Sequence, residues 1–354
     1  MSNIQFRTNF DGIPHLRSEH TQTPLPEPCH GQVLVKIHSV SLNYRDLEVV
    51  EGRYSHHKGG MHTDHPICPC SDMSGEIVDV GPGVTEWKQG DHVISIFLQA
   101  HQSGQVKQPF MATGMGYPLE GVLQQYRVFP ASALVRKPAY LSHQEAACLP
   151  ISSVTAWTAL TGLQQVRAGD WVLLQGTGGV SLAGAQIAKA AGARTILLSG
   201  SDAKLERAKK ELGVDVTINH KTTENWDEKV LEITNGVGVD HILEVGGKTT
   251  LLKSFNCIAF GGQISAIGYV SGKEPDPQTP INVNVLALIR NVTFKGILNG
   301  GKDKFEDMLK AFEANGIRPV VDKRLKFGEG DVKEAFEYLK SGGHFGKIVI
   351  DVVV

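Results

Sequence analysis

Six apolar runs, separated by glycine turns and amphipathic helical patterns, dominate the chain from Gly169 onward. These runs predict strands near residues 171–175, 194–199, 215–219, 239–245, 262–267 and 292–297. Strands that alternate with helices favour a parallel sheet, because parallel neighbours need a crossover connection and both faces of the sheet must then be covered. The sequence therefore predicts a doubly wound α/β domain with a six-stranded parallel sheet.

The first of these strands leads directly into a glycine-rich turn. The run Trp171-Val172-Leu173-Leu174-Gln175 is followed by Gly176-Thr177-Gly178-Gly179-Val180-Ser181 and then by a helical pattern over 182–191. Such a turn directs free backbone N–H groups and the positive end of the helix dipole at one point, where a pyrophosphate fits. Ser181 stands where the G-x-G-x-x-G pattern has its third glycine. We predict a dinucleotide site whose contacts include Gly176, Thr177, Gly178, Gly179 and Val180.

The end of the second strand bears on which dinucleotide binds. An NAD enzyme usually carries an acidic residue there, ~20 residues beyond the loop, for the ribose 2′-hydroxyl. This chain has Ser199, Ser201 and Lys204 instead, which suit a 2′-phosphate and favour NADP(H). Two alternatives stay open: Asp202 turned toward the ribose, and Ser201 or Asp202 serving only to cap the next helix.

The rest of the chain has a different pattern. The first 130 residues are short alternating or β-branched runs cut by Gly and Pro, which predict a compact β-rich region. After Gly301, helical patterns over 303–314 and 331–339 lead into a last strand over 347–354. These C-terminal elements are predicted to complete the first domain.

Composition excludes several classes of protein. Thirty-five Lys and Arg against 37 Asp and Glu give a net charge of −2, without the basic excess that nucleic-acid binding needs. No apolar run reaches the roughly 18 residues of a membrane span. Five scattered cysteines are too few for a disulfide scaffold, and no secretory signal opens the chain, so a cytoplasmic protein is expected.

Further motifs are spread over nearly the whole chain. They are Ser41-Leu42-Asn43-Tyr44-Arg45-Asp46, Gly52-Arg53-Tyr54, and residues 72–78, 80–84, 90–93, 155–160 and 236–240. Together with the glycine loop they resemble the medium-chain dehydrogenase/reductase superfamily, and within it the zinc-free quinone oxidoreductase-like branch. The resemblance implies a β-rich, barrel-like catalytic domain over 1–130 and 299–354, and a Rossmann domain over 131–298.

The resemblance also implies particular site residues. His220 is expected near the adenosine 2′-phosphate and Gly268 in the loop that passes the nicotinamide. Lys347 comes from the closing C-terminal segment and is predicted to reach the cofactor site, with a solvated lysine beside a strand as the alternative. Asn43, Asp46 and Tyr54 are the candidate catalytic residues, on the segment that faces the nicotinamide in relatives. Their structural alternatives are that Asn43 fixes a turn, Asp46 caps a short helix and Tyr54 forms a wall.

Zinc distinguishes the branches of this superfamily, because zinc dehydrogenases hold the ion with Cys, His and Cys or acidic ligands. At the matching places this chain has Asn43, Ser71 and Ile151, none of which replaces a thiolate or an imidazole. A second group of potential ligands comprises His56, His57, His62, His65, Cys68 and Cys70. It lacks the usual paired spacing of zinc sites, so we interpret it as a histidine-rich loop and predict no metal.

These observations lead to a functional hypothesis. Without zinc, hydride transfer is easiest to a conjugated acceptor, where the charge spreads onto an oxygen that one hydrogen-bond donor can stabilise. We predict an NADPH-dependent reductase of quinones or α,β-unsaturated carbonyl compounds. The alternatives are a zinc-independent alcohol dehydrogenase or carbonyl reductase, and an NADPH-binding protein with a structural or sensing role.

The sixth predicted strand bears on assembly. The run Asn291-Val292-Thr293-Phe294-Lys295-Gly296-Ile297 should lie at one edge of the Rossmann sheet, where its unpaired backbone groups must be covered or paired. The same strand of a second chain would pair with it across a two-fold axis. We therefore predict a homodimer, with an edge covered by the chain's own loop as the alternative.

Overall fold

The computed structural model describes residues 3–21, 25–54, 65–274 and 281–353. The chain divides into two compact units, one formed by Met1–Val154 with Asn299–Val354 and the other by Thr155–Leu298. The strands are, in chain order, β1 Asn3–Arg7, β2 Arg17–Thr21, β3 Gln32–Ser41, β4 Asp72–Val80, β5 His92–Ser95, β6 Tyr126–Pro130, β7 Leu134–Arg136, β8 Trp171–Gln175, β9 Arg194–Ser199, β10 Val216–Asn219, β11 Val239–Glu244, β12 Ile258–Ala266, β13 Thr293–Gly296, β14 Val321–Lys326 and β15 Lys347–Asp351.

Helices connect most of these strands. They are α1 Tyr44–Val50, α2 Gln108–Met111, α3 His143–Ala147, α4 Val154–Thr161, α5 Gly179–Ala190, α6 Asp202–Leu212, α7 Trp226–Ile233, α8 Leu251–Cys257, α9 Val283–Ile289, α10 Lys302–Asn315 and α11 Glu329–Lys340. A short π-helical segment, Leu149–Ser153, precedes α4. Within the described residues, every helix falls short of the length and apolar character that crossing a membrane would require.

The first unit is β-rich, as predicted. Its main sheet has the order β14-β15-β3-β4-β5-β7, and β6 pairs with another part of β3. The pairings are antiparallel except between β14 and β15. The long strand β3 is central because Val33, Val35 and Ile37 alternate toward the core and are fully buried. Phe129 of β6 and Phe336 of α11 fill the same core.

The second unit contains the predicted doubly wound sheet. Its six strands are all parallel, in the order β10-β9-β8-β11-β12-β13. Leu173, Ile196, Ile242 and Ile264, one from each central strand, have no exposed surface. The strand order reverses between β8 and β11, and open α/β sheets bind ligands in the crevice at this switch point. The six-stranded α/β prediction is confirmed.

Two local differences from the sequence expectation have clear causes. Residues 131–154 were expected in the Rossmann domain, but they belong to the first unit, where β7 pairs with β5 and α3 packs on β3. Strand β12 begins at Ile258, four residues before the predicted start at 262, because it pairs first with Val239 and, after a register shift, with His241. Strand β13 lies at an edge of its sheet, as predicted.

Candidate functional site

The glycine loop of the second unit turns sharply from β8, which ends at Gln175, into α5, which begins at Gly179. Gly176 has a φ of +78°, a left-handed conformation that favours glycine. Gly178 has an ordinary φ of −79°, and a Cβ built on it would meet no heavy atom within 4 Å. Neither strain nor crowding explains a glycine at 178, so the open space at the N-terminus of α5 fits a pyrophosphate group.

The close packing of helix on sheet that the motif allows falls at Gly184 rather than at Ser181. A Cβ on Gly184 would lie 2.7 Å from Leu243 Cδ2 and 2.9 Å from Leu174 Cδ2. Ser181 instead ties the first turn of α5 to the end of β8, because its hydroxyl donates to the carbonyl oxygen of Gln175 at 2.6 Å.

A buried carboxylate that the sequence analysis missed holds the loops beside this crevice. Glu244 ends β11 and is 1% exposed. Its side chain accepts hydrogen bonds from the side chains of Gln175, Thr250 and Ser254 and from the backbone N–H groups of Gly246 and Gly247. Because β8 and β11 are neighbours at the switch point, Glu244 links the ends of both strands. The one available signal was an acidic residue closing an apolar strand.

Gly268 lies on the same side of the sheet, in the loop after β12. Its N–H donates to the carbonyl oxygen of Glu244 at 3.2 Å, and a Cβ on it would lie 2.8 Å from the carbonyl oxygen of Val245. Close backbone approach therefore explains the glycine. Its contact with the nicotinamide stays a prediction.

The residues predicted to bind the 2′-phosphate gather at the end of β9. The hydroxyl of Ser201 caps α6 by accepting from the N–H of Lys204 at 3.5 Å. The N–H of His220 donates to the carbonyl oxygen of Ser199 at 3.1 Å. Asp202 Oδ1 accepts from Asn219 Nδ2 at 2.7 Å, so this carboxylate is engaged by the end of β10. The structure thus brings Ser199, Ser201, Lys204 and His220 together at the end of β9. Ser201 also caps α6, which was the alternative role considered for it.

Lys221 joins this group and was missed. Its side chain crosses Gly200, where a Cβ would lie 2.7 Å from Lys221 Cε. Partial burial, and then the neighbouring Lys221, lower the pKa of His220, so the imidazole is neutral near pH 7. The positive charge at the end of β9 therefore comes from Lys204 and Lys221. The sequence signal was the adjacency of Lys221 to His220.

In the first unit, Asn43 and Lys347 meet although 304 residues separate them in the chain. Asn43 is the N-cap of α1, and Lys347 is the first residue of β15. The ammonium of Lys347 donates to Asn43 Oδ1 at 2.6 Å and to the carbonyl oxygen of Leu42 at 2.5 Å. Because an ammonium only donates, the amide oxygen of Asn43 must face Lys347 and the amide nitrogen must point away from it.

Asp72, at the start of β4, lies beside this pair and is fully buried. Its carboxylate accepts from Ser71 Oγ at 2.8 Å and from the backbone N–H of Ile151 at 3.1 Å. Burial raises the pKa of Asp72, and the charge of Lys347 opposes this rise. The amide of Asn43 also lowers this pKa, although Nδ2 makes no hydrogen bond of ordinary geometry within the described residues. We call Asn43, Ser71, Asp72, Ile151 and Lys347 the Asn43–Asp72 cluster.

Asp46 takes the capping role considered as its alternative. Its Oδ2 accepts from the backbone N–H of Asn43 at 2.9 Å, and its Oδ1 accepts from Arg45 Nη1 at 2.9 Å. Burial raises the pKa of Asp46 to about 6, against the opposing charge of Arg45. Both carboxylate oxygens therefore already have donors. A catalytic role for Asp46 stays a prediction.

Tyr54 packs as part of a buried aromatic wall. The guanidinium of Arg45 lies 4.9 Å from the centre of the Tyr54 ring, and Tyr117 packs edge-on against it with ring centres 6.3 Å apart. Tyr54 is 6% exposed. The arrangement fits the wall alternative, and the predicted contact with substrate stays a prediction.

The potential metal ligands that the structure describes do not form a zinc site. The described residues contain no group of three His, Cys, Asp or Glu side chains that could hold a metal. Cys68 and Cys70 lie in the core of the first unit, and burial raises the pKa of both thiols, that of Cys68 to about 12. His65 is exposed, and the other three histidines of this segment lie outside the described residues. Buried neutral thiols are poor metal ligands.

Comparison with known proteins agrees with this architecture. Residues 29–139 match the family model described as alcohol dehydrogenase GroES-like domain, and residues 179–314 match that described as zinc-binding dehydrogenase. A zinc-type alcohol dehydrogenase-like protein of Schizosaccharomyces pombe is 41% identical over 345 residues, with 97% of each chain covered. The chain belongs to the medium-chain dehydrogenase/reductase superfamily. It is an oxidoreductase of this superfamily, whose members bind nicotinamide cofactors.

Two more distant matches agree. A quinone oxidoreductase-like protein 2 homolog of Nematostella vectensis is 29% identical, with 91% of this chain and 82% of the relative covered. A solved structure from Sinorhizobium meliloti, described as a candidate alcohol dehydrogenase, has a TM-score of 0.88 at 38% identity and covers 99% of both chains. The superfamily thus includes relatives named for both alcohols and quinones.

Proposed function

We propose that this member of the superfamily is an NADPH-dependent oxidoreductase that reduces a quinone or an α,β-unsaturated carbonyl compound without zinc. When bound, the reduced nicotinamide supplies the hydride. The open backbone of Gly176 to Val180 would hold the pyrophosphate at the N-terminus of α5. Lys204, Lys221, Ser199 and Ser201 would hold the 2′-phosphate, which an NAD enzyme would instead repel with an acidic residue.

The orientation of the Asn43 amide carries the proposal. Lys347 holds the oxygen of this side chain, so its N–H groups face the other way, and Nδ2 makes no hydrogen bond of ordinary geometry among the described residues. A buried donor without an acceptor costs free energy unless a ligand supplies one. Hydride addition to a conjugated carbonyl leaves negative charge on its oxygen, and a fixed N–H donor stabilises that charge. Asn43 is therefore the hydrogen-bond donor to the acceptor's oxygen.

The same reasoning selects the class of acceptor. An isolated ketone develops a localised alkoxide, which calls for a strong electrophile such as zinc. Asn43, Ser71 and Ile151 offer no thiolate or imidazole. The carboxylate of Asp72, which lies beside them, already accepts hydrogen bonds from Ser71 and Ile151. A conjugated acceptor spreads its charge and needs less stabilisation. The cluster therefore favours quinones and enones over simple aldehydes and ketones.

A substrate panel tests this proposal. Quinones, enones, aldehydes and ketones are each offered with NADPH and with NADH, and cofactor oxidation is followed by absorbance with and without a chelator. We expect turnover of quinones or enones with NADPH that is unchanged by the chelator, in protein with no stoichiometric zinc by elemental analysis. Turnover of aldehydes or ketones alone would favour the carbonyl reductase alternative. A zinc-to-chain ratio near one, with activity lost on chelation and restored by zinc, would refute the zinc-free mechanism.

A further inference from the structure

We propose that Lys347 is a positioning residue that supplies the internal positive charge of the Asn43–Asp72 cluster and holds the amide of Asn43 in one orientation. The three places matched to zinc ligands, Asn43, Ser71 and Ile151, lie together with Asp72 and Lys347 in the fold. The cluster therefore joins a buried carboxylate, a buried ammonium and the candidate donor amide.

The charge role of Lys347 follows from how the buried carboxylates of Asp46 and Asp72 are compensated. Asp46 and Asp72 have no exposed surface. Asp46 has its own cation, since Arg45 donates to it at 2.9 Å. Asp72 receives hydrogen bonds from the neutral groups of Ser71 and Ile151, and the neutral amide of Asn43 also lowers its pKa. Lys347 is 5% exposed and is the charge that most lowers the pKa of Asp72. A buried carboxylate requires such compensation.

The geometry at Asn43 carries the second part. Lys347 Nζ lies 2.6 Å from Asn43 Oδ1, whereas the other donor to this oxygen, Ser152 Oγ, is 3.4 Å away. The carbonyl oxygen of Leu42, one residue earlier, anchors the same ammonium at 2.5 Å. Without the ammonium, only the long contact with Ser152 would keep the amide oxygen in place. Lys347 therefore fixes the orientation of the Asn43 amide, with its oxygen toward the ammonium and its nitrogen on the opposite side, where we propose that the substrate binds.

A double-mutant cycle tests the charge role independently of any enzymatic activity. Lys347→Met, Asp72→Asn and the double variant are compared by thermal unfolding, with Lys326→Met as the control at an exposed position of β14, the strand paired with β15. We expect Lys347→Met to lower the Tm by about 5–10 °C, because it leaves a buried carboxylate uncompensated. The double variant should recover most of this loss.

Two outcomes of the cycle would overturn the charge role. One is a Lys347→Met variant that loses no more stability than Lys326→Met. The other is a double variant whose loss equals the sum of the single losses, since residues that do not interact have additive effects. If Lys347→Met does not fold, the double variant decides. A folded double variant supports the charge role. An unfolded double variant contradicts it, provided that the Asp72→Asn protein folds.

The positioning role is tested by kinetics and rests on the proposed function. With an acceptor that the wild type reduces, Lys347→Met should lower kcat about 10- to 100-fold, because a displaced donor no longer meets the reacting oxygen. The Kd for NADPH, from fluorescence titration, should stay unchanged. Weakened NADPH binding with an intact kcat would overturn the role and return Lys347 to the cofactor site. A wild type that turns over none of the acceptors would refute the proposed function but leave the stability cycle valid.

Discussion

The glycine loop and the Asn43–Asp72 cluster are two different kinds of site in one chain. The loop is one continuous segment of the chain. It offers a ligand backbone N–H groups and unfilled space rather than side chains. The cluster draws on α1, β4, the π-helical segment and β15, and its chemistry comes mainly from side chains that hydrogen-bond to one another. Nearly every polar atom of the cluster has a partner, whereas a Cβ on Gly176 or Gly178 of the loop would meet no heavy atom within 4 Å.

This difference teaches how each site should respond to mutation. A side chain added to the loop would fill the space proposed for the pyrophosphate, so cofactor binding should weaken while the fold stays intact. A side chain removed from the cluster leaves partners unsatisfied, so catalysis and stability should suffer together. Four predictions test this contrast, in order of decreasing effect.

The largest effect is expected from the cluster. Asn43→Ala removes the only side-chain donor there that lacks a hydrogen bond, and we expect kcat to fall about 10²- to 10³-fold, as when an oxyanion donor is lost. The Kd for NADPH should stay unchanged by fluorescence titration. Stability should fall by about 1 kcal/mol, because the buried ammonium of Lys347 loses its hydrogen bond to Asn43 Oδ1.

Asn315→Ala, at the exposed C-terminal end of α10, is the control for loss of an asparagine. It should leave kcat unchanged. An Asn43→Ala enzyme with wild-type kcat on its best acceptor would show that this amide does not act on the substrate.

The second prediction concerns the loop. Gly178→Val should weaken NADPH binding roughly 100-fold, because the added side chain occupies the space proposed for the pyrophosphate. Its thermal stability should match that of the wild type, since a Cβ at this position meets no heavy atom within 4 Å. Isothermal titration and thermal unfolding measure the two quantities.

Gly184→Ala is the matched comparison for Gly178→Val, with the opposite expected effects on stability and binding. Its Cβ would lie 2.7 Å from Leu243 Cδ2 in the packed core. It should lose about 1–3 kcal/mol of stability by overpacking, with a smaller loss of cofactor affinity. Gly330→Ala, in open space on α11, controls for loss of a glycine. If Gly178→Val binds NADPH normally, the loop is only a tight turn.

The third prediction sharpens the cofactor assignment. The wild type should bind NADPH about 5- to 150-fold more tightly than NADH, which corresponds to about 1–3 kcal/mol from lysines and hydroxyls on a 2′-phosphate. Lys204→Ala and Lys221→Ala should each remove part of this difference and leave NADH binding unchanged. Lys209→Ala, exposed on the same helix as Lys204, is the control. Equal Kd values for the two cofactors in the wild type would contradict the assignment.

The smallest effect on either site is expected from changes at the sheet edge. Among the described residues, β13 pairs only with β12, and Leu288 and Ile289 of the preceding helix α9 are 78% and 63% exposed. Apolar groups beside an open edge favour pairing with a second copy. Light scattering should give about 77 kDa, twice the 38.4 kDa chain mass. Leu288→Asp should shift the mass toward the single chain and leave NADPH affinity nearly unchanged.

Val237→Asp, at a position 65% exposed in a turn of the same unit, controls for a charge placed on an exposed apolar residue. It should keep the dimer mass. A wild type with the mass of a single chain at micromolar concentration would rule out the dimer.

The sequence by itself determined the fold class and the conformation of the glycine loop. Strands β8 and β9 begin and end where the apolar runs predict, and Gly176 adopts the left-handed turn that only a glycine tolerates easily. These features depend on neighbours in the chain, since strand propensity, turn geometry and helix capping act over a few residues. Asn43 was found because it belongs to a contiguous motif, but its place as the N-cap of α1 was not predicted, since the capping alternative had been given to Asp46.

Only the tertiary structure decided what these residues touch. The partner of Asn43 is Lys347, 304 residues away. The packing glycine is Gly184 rather than Ser181, because Leu243 of another strand lies against the helix there. Glu244 holds the crevice through donors from both β8 and its own loop. The partner of a buried charge and the neighbour in a close contact are often residues distant in sequence. A single sequence does not show which of these distant residues come together in the fold.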